Sequence, residues 1–369
     1  MEVIKIGAEN DPTIKYHFID GPFVEISGGD PSEQYLVSFK DTSSGTIRYQ
    51  STIHPGYYAK CSIQYYVPWE VSVRNISTGR TWIFTNDLRN KIVHIRLRSY
   101  SLGDNIAWMP YVEEFRKKHE CNILCSCGDA WRNIISGAYP EIEFVPHECR
   151  ISDVFAQYTV ELWRLPYDWR GLSIQKIAAA ALGVSDHEIR ARVDESKAVT
   201  LTNLDFKYVC ISEHSSSIPN SWHHPGGWQQ VVDYLKDIGY KVVSIAYEGT
   251  ELNGVINAQK NRIETTMGIL RNCDFYIGLA SGLAWLAWAL GKKVIMISGF
   301  TSPVMEFSEN NYRIEGVGDC VGCWNDLRIP HGNTRPCIND YQCTKLITSE
   351  HVIEQIQRVL MSINEYVIP

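Results

Sequence analysis

No apolar run in the 369-residue sequence approaches the roughly 20 residues that a membrane-spanning helix needs, so a helical membrane protein is excluded. The N-terminal stretch MEVIKIGAEN has no basic start, apolar core or small-residue cleavage site, so it does not read as a secretory signal. Excess basic charge is also missing. A formal net charge of -7 gives no overall attraction for nucleic acid or an anionic membrane. No G-x-G-x-x-G follows a strand-like stretch, which weakens any assignment as a dinucleotide-dependent oxidoreductase. These absences predict a cytoplasmic protein with no membrane span and no nucleic-acid partner. In a reducing compartment, the 11 cysteines read as thiols or metal ligands rather than disulfides.

What is present is core-forming material. Hydrophobic residues make up 44% of the chain, enough for two or three domains. Residues 1–92 alternate in short segments (KYHFID, FVEIS, EQYLVSF, RTWIFTN) broken by Gly, Asp, Asn and Pro, which predicts a β-rich domain for assembly or acceptor docking. Residues 93–203 change to strands alternating with helices: KIVHIRLRS, then NIAWMPYVEEFRKKHE, then CNILCSC and EIEFVP. A further helix, SIQKIAAAALGV, is opened by Ser173 and stopped by Gly183. A second alternating block spans 204–315, so two Rossmann-like domains should face a ligand cleft. A cysteine finger at 316–346 and a C-terminal helix at 347–369 complete the expected order.

Three turns carry candidate chemistry. In RLRSYSLGDNIAWMPYVEEF a strand meets a helix at Asp104, where an acid is either a general base at the mouth of an α/β crevice or a helix cap. In DFYIGLA-SGLAWLAWALG, Ser281 and Gly282 open a helix whose unpaired N–H groups suit a phosphate, although serine is also a good cap. In ISEHSSSIPNSWHHPGGW, Ser215, Ser216 and Ser217 could donate to a diphosphate or form a solvated turn. Glu248, after the strand YKVVSIAY, is placed as a ribose-binding acid. Trp222 and Trp285 serve either as stacking surfaces for a ligand or as core. Cys320, Cys323, Cys337 and Cys343 form a C-x2-C pair and a second pair across a polar loop. Four thiolates make a closed tetrahedral site for zinc or a single iron, structural because no coordination position stays open.

The Gly103-Asp104 turn with Pro110 downstream, the two α/β blocks and the Ser281-Gly282-Leu283 turn resemble the heptosyltransferase branch of the GT-B glycosyltransferases, over roughly residues 93 to 310. The β-rich extension and the cysteine finger resemble the bacterial autotransporter heptosyltransferases in particular. That resemblance implies a protein O-heptosyltransferase that moves heptose from ADP-heptose to serines of an autotransporter adhesin passenger domain, with inversion. Asp104 would be the base, in an ordinary carboxylate's range of acidity. Ser215, Ser216, Ser217, Asn220, Trp222, Glu248, Ser281, Gly282, Leu283 and Trp285 would surround the donor. It also implies one structural iron per chain on the four cysteines and a homo-oligomer, a dodecameric ring.

The alternatives are transfer to a lipopolysaccharide core acceptor and a cysteine-finger scaffold on an inactive transferase fold. Departures from the branch are local. Ala280 stands where an Asp is usual and Trp285 where a His is usual. Asn220-Ser221-Trp222 lacks the lysine that commonly faces the diphosphate, so His223, His224 or a distant arginine is expected to replace it.

Overall fold

The computed structural model describes residues 2–5, 12–151, 153–165, 167–328 and 337–364. The N-terminal part contributes β1 (Glu2–Lys5), β2 (Thr13–Ile19), β3 (Phe23–Ser27), β4 (Tyr35–Asp41), β5 (Thr46–Ile53), β6 (Tyr58–Lys60), β7 (Trp69–Asn75) and β8 (Thr81–Thr85). Strict alternation of buried and half-buried residues in β2, β3 and β4 marks strands with one face on a core. The expected β-rich character is therefore present, but it is divided between two sheets. Strands β5-β4-β7-β8 form an antiparallel sheet of four, whereas β1, β2, β3 and β6 extend the sheet of the first α/β block.

That block follows as β9 (Ile92–Leu97), α1 (Leu102–His119), β10 (Asn122–Ser126), α2 (Asp129–Ser136), β11 (Ile142–Val145), β12 (Ala156–Val160) and α3 (Ile174–Leu182). Its sheet runs β11-β10-β9-β12-β2-β3-β6, with β12 parallel to β2 through Ala156↔Phe18. A boundary at residue 92 thus cuts through one continuous sheet. Stacking of Tyr16 on Phe84 at 4.6 Å joins the four-stranded sheet to it. Strand β12, buried at all five residues, lacks the alternation that marks the strands expected from the sequence.

The second block comprises β13 (Tyr208–Ser212), α4 (Gly227–Asp237), β14 (Lys241–Ser244), β15 (Ile256–Asn257), α5 (Ile263–Asn272), β16 (Tyr276–Leu279), α6 (Gly282–Ala289), β17 (Val294–Ser298) and β18 (Asn311–Glu315). All neighbours are parallel in the order β15-β14-β13-β16-β17-β18. The order reverses between β13 and β16, the switch point where α/β sheets bind ligands. Helices α7 (Gln342–Lys345) and α8 (Ser349–Asn364) close the chain, and α8 packs on α4. Among the described residues, no helix is long and apolar enough to cross a membrane.

The helix signals act where the sequence put them. Ser173 accepts from the Lys176 amide to start α3, and Gly183 ends it in the left-handed conformation. Helix α1 ends with Arg116, Lys117, Lys118 and His119 in its last turn, which complements the negative end of the helix dipole. Most of α1 is buried because the first sheet, α3 and α6 all pack against it.

Candidate active site

The contact of α1 with α6 brings the base-bearing turn of the first block against the phosphate-type turn of the second. A Cβ on Gly282 would lie 2.9 Å from Leu102 Cβ and 3.0 Å from the Gly103 amide nitrogen. A Cβ on Gly103 would sit 3.0 Å from Trp285 Cδ1 and 3.3 Å from Gly282 Cα. Real Cβ contacts are rarely this tight, so two glycines let the turns meet. Above this seam opens a cleft of about 430 Å³. Tyr100, Ser101, Leu102 and Trp131 line it from the first block; His214, Ser215, Ser216, Tyr247, Ser281, Gly282 and Leu283 line it from the second.

Asp104 occupies the third position of α1. The capping position is Ser101, and Asp104 accepts instead from the Ser99 hydroxyl at 2.6 Å, so the cap alternative is not realised. Desolvation pushes its pKa from 3.8 to about 6, with the Ser99 hydrogen bond acting the other way. Its acidity therefore departs from the ordinary range expected. The residue as a whole keeps partial exposure, but Asp104 is not among the residues that line the cleft. Asn105 fixes the turn by donating to Ser99 O at 2.9 Å and Ser101 O at 2.6 Å while accepting from the Gly128 amide.

The second block presents its hydroxyls from the ends of β13 and β16. Ser281 Oγ is buried beside the Tyr276 hydroxyl, and neither makes a hydrogen bond of good geometry. Ser217 is buried, its Oγ also without a partner, while Ser215 and Ser216 line the cleft. Asn220 is buried and donates to Ala280 O at 2.7 Å and Ser215 Oγ at 3.2 Å. It ties the β13 loop to the β16 turn rather than facing the cleft.

Other sequence candidates lie elsewhere. Trp222 is 5% exposed and donates to Ile347 O, and Trp285 is 2% exposed, edge-on to Trp288 and Phe307. Trp285 points into the core from α6, whereas Trp222, in the loop before α4, packs edge-on to Trp228 and lines the adjoining cleft from beneath. Glu248 is exposed in a separate, adjoining cleft of about 620 Å³. Glu213, which the sequence reading missed, lines that same cleft and accepts from the Ser244 hydroxyl through both carboxylate oxygens. Its signal was an acid directly after a strand.

Of the segment expected to form the cysteine finger, Cys343 packs against the end of β17. A Cβ on Gly299 would meet Cys343 Sγ at 3.0 Å, and the Tyr341 amide donates to Cys337 Sγ at 3.2 Å. Burial, reinforced by the nearby Cys323, Cys320 and Cys337, pushes the Cys343 thiol up to about 11. Yet among the described residues no group of three or more His, Cys, Asp or Glu side chains is gathered tightly enough to hold a metal ion. The expected closed tetrahedron is thus four neighbouring thiols of suitable donor chemistry. Part of the loop between the two pairs, residues 329–336, lies outside the described residues.

No protein-family model matches the chain. The chain is 31% identical over 376 residues to the autotransporter heptosyltransferase BAHTCr of Citrobacter rodentium, covering 95% of this chain and 90% of that one. It belongs to the autotransporter heptosyltransferases. Like its relatives it is therefore a glycosyltransferase. This heptosyltransferase matches the iron-containing dodecameric TibC of enterotoxigenic Escherichia coli with a TM-score of 0.86 and 27% identity, over 98% of this chain and 99% of that one. TibC has also been solved in complex with ADP-D-β-D-heptose, and that structure matches with a TM-score of 0.85. A Burkholderia thailandensis relative described as inactive, BimC, is 28% identical over 95% of this chain and 86% of its own.

Proposed function

We propose that this chain transfers heptose from ADP-heptose to serine hydroxyls of an autotransporter adhesin, with inversion and with Asp104 as general base. The observation that carries this reading is the seam itself. A carboxyl with a pKa near 6 stands at one turn, and the Ser281-Gly282 helix start stands against it across two glycines. The acceptor oxygen attacks the anomeric carbon as its proton passes to Asp104, and the bond from that carbon to the diphosphate breaks, releasing ADP. A base of that acidity is largely ionised at neutral pH and accepts a proton better than an ordinary carboxylate. Preorganised hydroxyl dipoles of Ser215 and Ser216 and the backbone N–H groups of the Ser281-Gly282 helix start hold the departing diphosphate. Glu213 and Glu248 offer acceptors for ribose hydroxyls from the adjoining cleft.

TibC is iron-containing and dodecameric, and we take both properties as expectations for this chain in the cytoplasm. Cys320, Cys323, Cys337 and Cys343 would hold one metal ion, iron with zinc as the alternative, which when bound cross-links the finger. The test is to incubate purified protein with ADP-heptose and an adhesin passenger fragment and to weigh the fragment. A gain of whole heptose residues on serine is expected. A fragment of unchanged mass, alongside a positive control with an active relative, removes the reading.

A further inference from the structure

We propose that His214 supplies the positive charge that neutralises the departing diphosphate, the role left vacant by the missing lysine. This rests on the donor reading above. Breaking the bond to the diphosphate leaves an added negative charge on the leaving group. Serine hydroxyls and backbone dipoles stabilise that charge but carry no net charge of their own. Among the residues lining the 430 Å³ cleft there is no lysine, arginine, aspartate or glutamate, and His214 is the one side chain able to become a cation. It directly precedes Ser215 and Ser216, and it is the residue that lines both this cleft and the adjoining one.

The alternatives foreseen in the sequence are occupied. His223 Nε2 lies 3.0 Å from Ile218 O, and its ring stacks on Tyr341 at 4.0 Å. His224 Nδ1 lies 2.8 Å from Lys345 O. Both histidines are thus turned toward the finger. Asn220, at the lysine's place in the loop, spends its amide on Ala280 and Ser215. His214 is exposed and makes no hydrogen bond or ion pair among the described residues, so its ring is free to meet a ligand. The charged groups around it are Glu213, committed to Ser244, with Glu248 and Glu251 in the adjoining cleft; Arg262, at the start of α5, faces Glu264.

The chemistry makes two opposite demands on protonation: Asp104 must have lost its proton and His214 must hold one. His214→Gln and His214→Lys, both at an exposed position, test this. Removal of the cation is expected to lower kcat about 10²-fold, the usual cost of losing one group that stabilises developing charge. In His214→Lys, kcat should recover.

Calorimetry with ADP alone gives a second readout that needs no transfer. Affinity should fall in His214→Gln and return in His214→Lys. A His214→Gln enzyme with wild-type kcat overturns the proposal, as does wild-type ADP affinity in that variant. If the wild type fails to transfer heptose, the parent reading fails by itself, and ADP binding still decides the part played by His214.

Discussion

The hydroxyl of Ser99, just beyond the end of β9, donates at 2.6 Å to Oδ2 of Asp104 in the first turn of α1. A strand end and a helix start therefore hold the base between them. The hydrogen bond favours the ionised carboxylate, against a desolvation that favours the protonated form. The two opposing influences set the pH at which the base is ready.

Removing that hydroxyl should leave desolvation unopposed. In Ser99→Ala the acid limb of kcat/KM is expected to move to higher pH, while the rate on the plateau changes little. A pH–rate series on both proteins checks this, and an unmoved limb would mean the bond does not tune the base.

Asp104→Asn should lower transfer about 10²–10⁴-fold, the range for positioned acid–base groups. It should also stabilise the fold. The folded-state pKa of Asp104 is raised, so the native state holds this proton more tightly than the unfolded chain. Wild-type stability should therefore fall as pH rises from 3.8 to about 6, whereas the asparagine variant lacks that loss. The gap is expected to reach up to about 3 kcal/mol at pH 7 and to close below pH 4. Urea unfolding of the two proteins at both pH values measures it.

Gly282→Ala should cost about 1–3 kcal/mol, the usual penalty for overpacking, because the new methyl would press on Leu102 Cβ and the Gly103 amide. Thermal unfolding reads the loss. Donor binding should weaken too, since relief of the clash requires α1 and α6 to separate under the cleft. An alanine variant with wild-type stability and affinity would show that the seam is loose.

Cys343→Ser should remove metal from the purified protein, with elemental analysis as the measurement. Because the wild-type thiol is pushed up to about 11, metal uptake must displace a tightly held proton and should strengthen as pH rises. Metal content independent of the four cysteines would discard the finger as its site.

Local chemistry in the sequence determined the turns and their order. Strand, glycine or serine turn and helix follow one another at Asp104 and at Ser281, and Ser173 and Gly183 bound α3, because capping and periodicity act over a few residues. Tertiary structure alone decided what those turns meet. That β2 and β12 pair across more than a hundred residues, that Gly103 rests on Gly282, that Trp222 and Trp285 are buried, and that His214 stands free in the cleft are outcomes of long-range packing. Periodicity reports which face of an element is buried, but the partner that buries it is chosen only when distant elements compete for the same apolar surface.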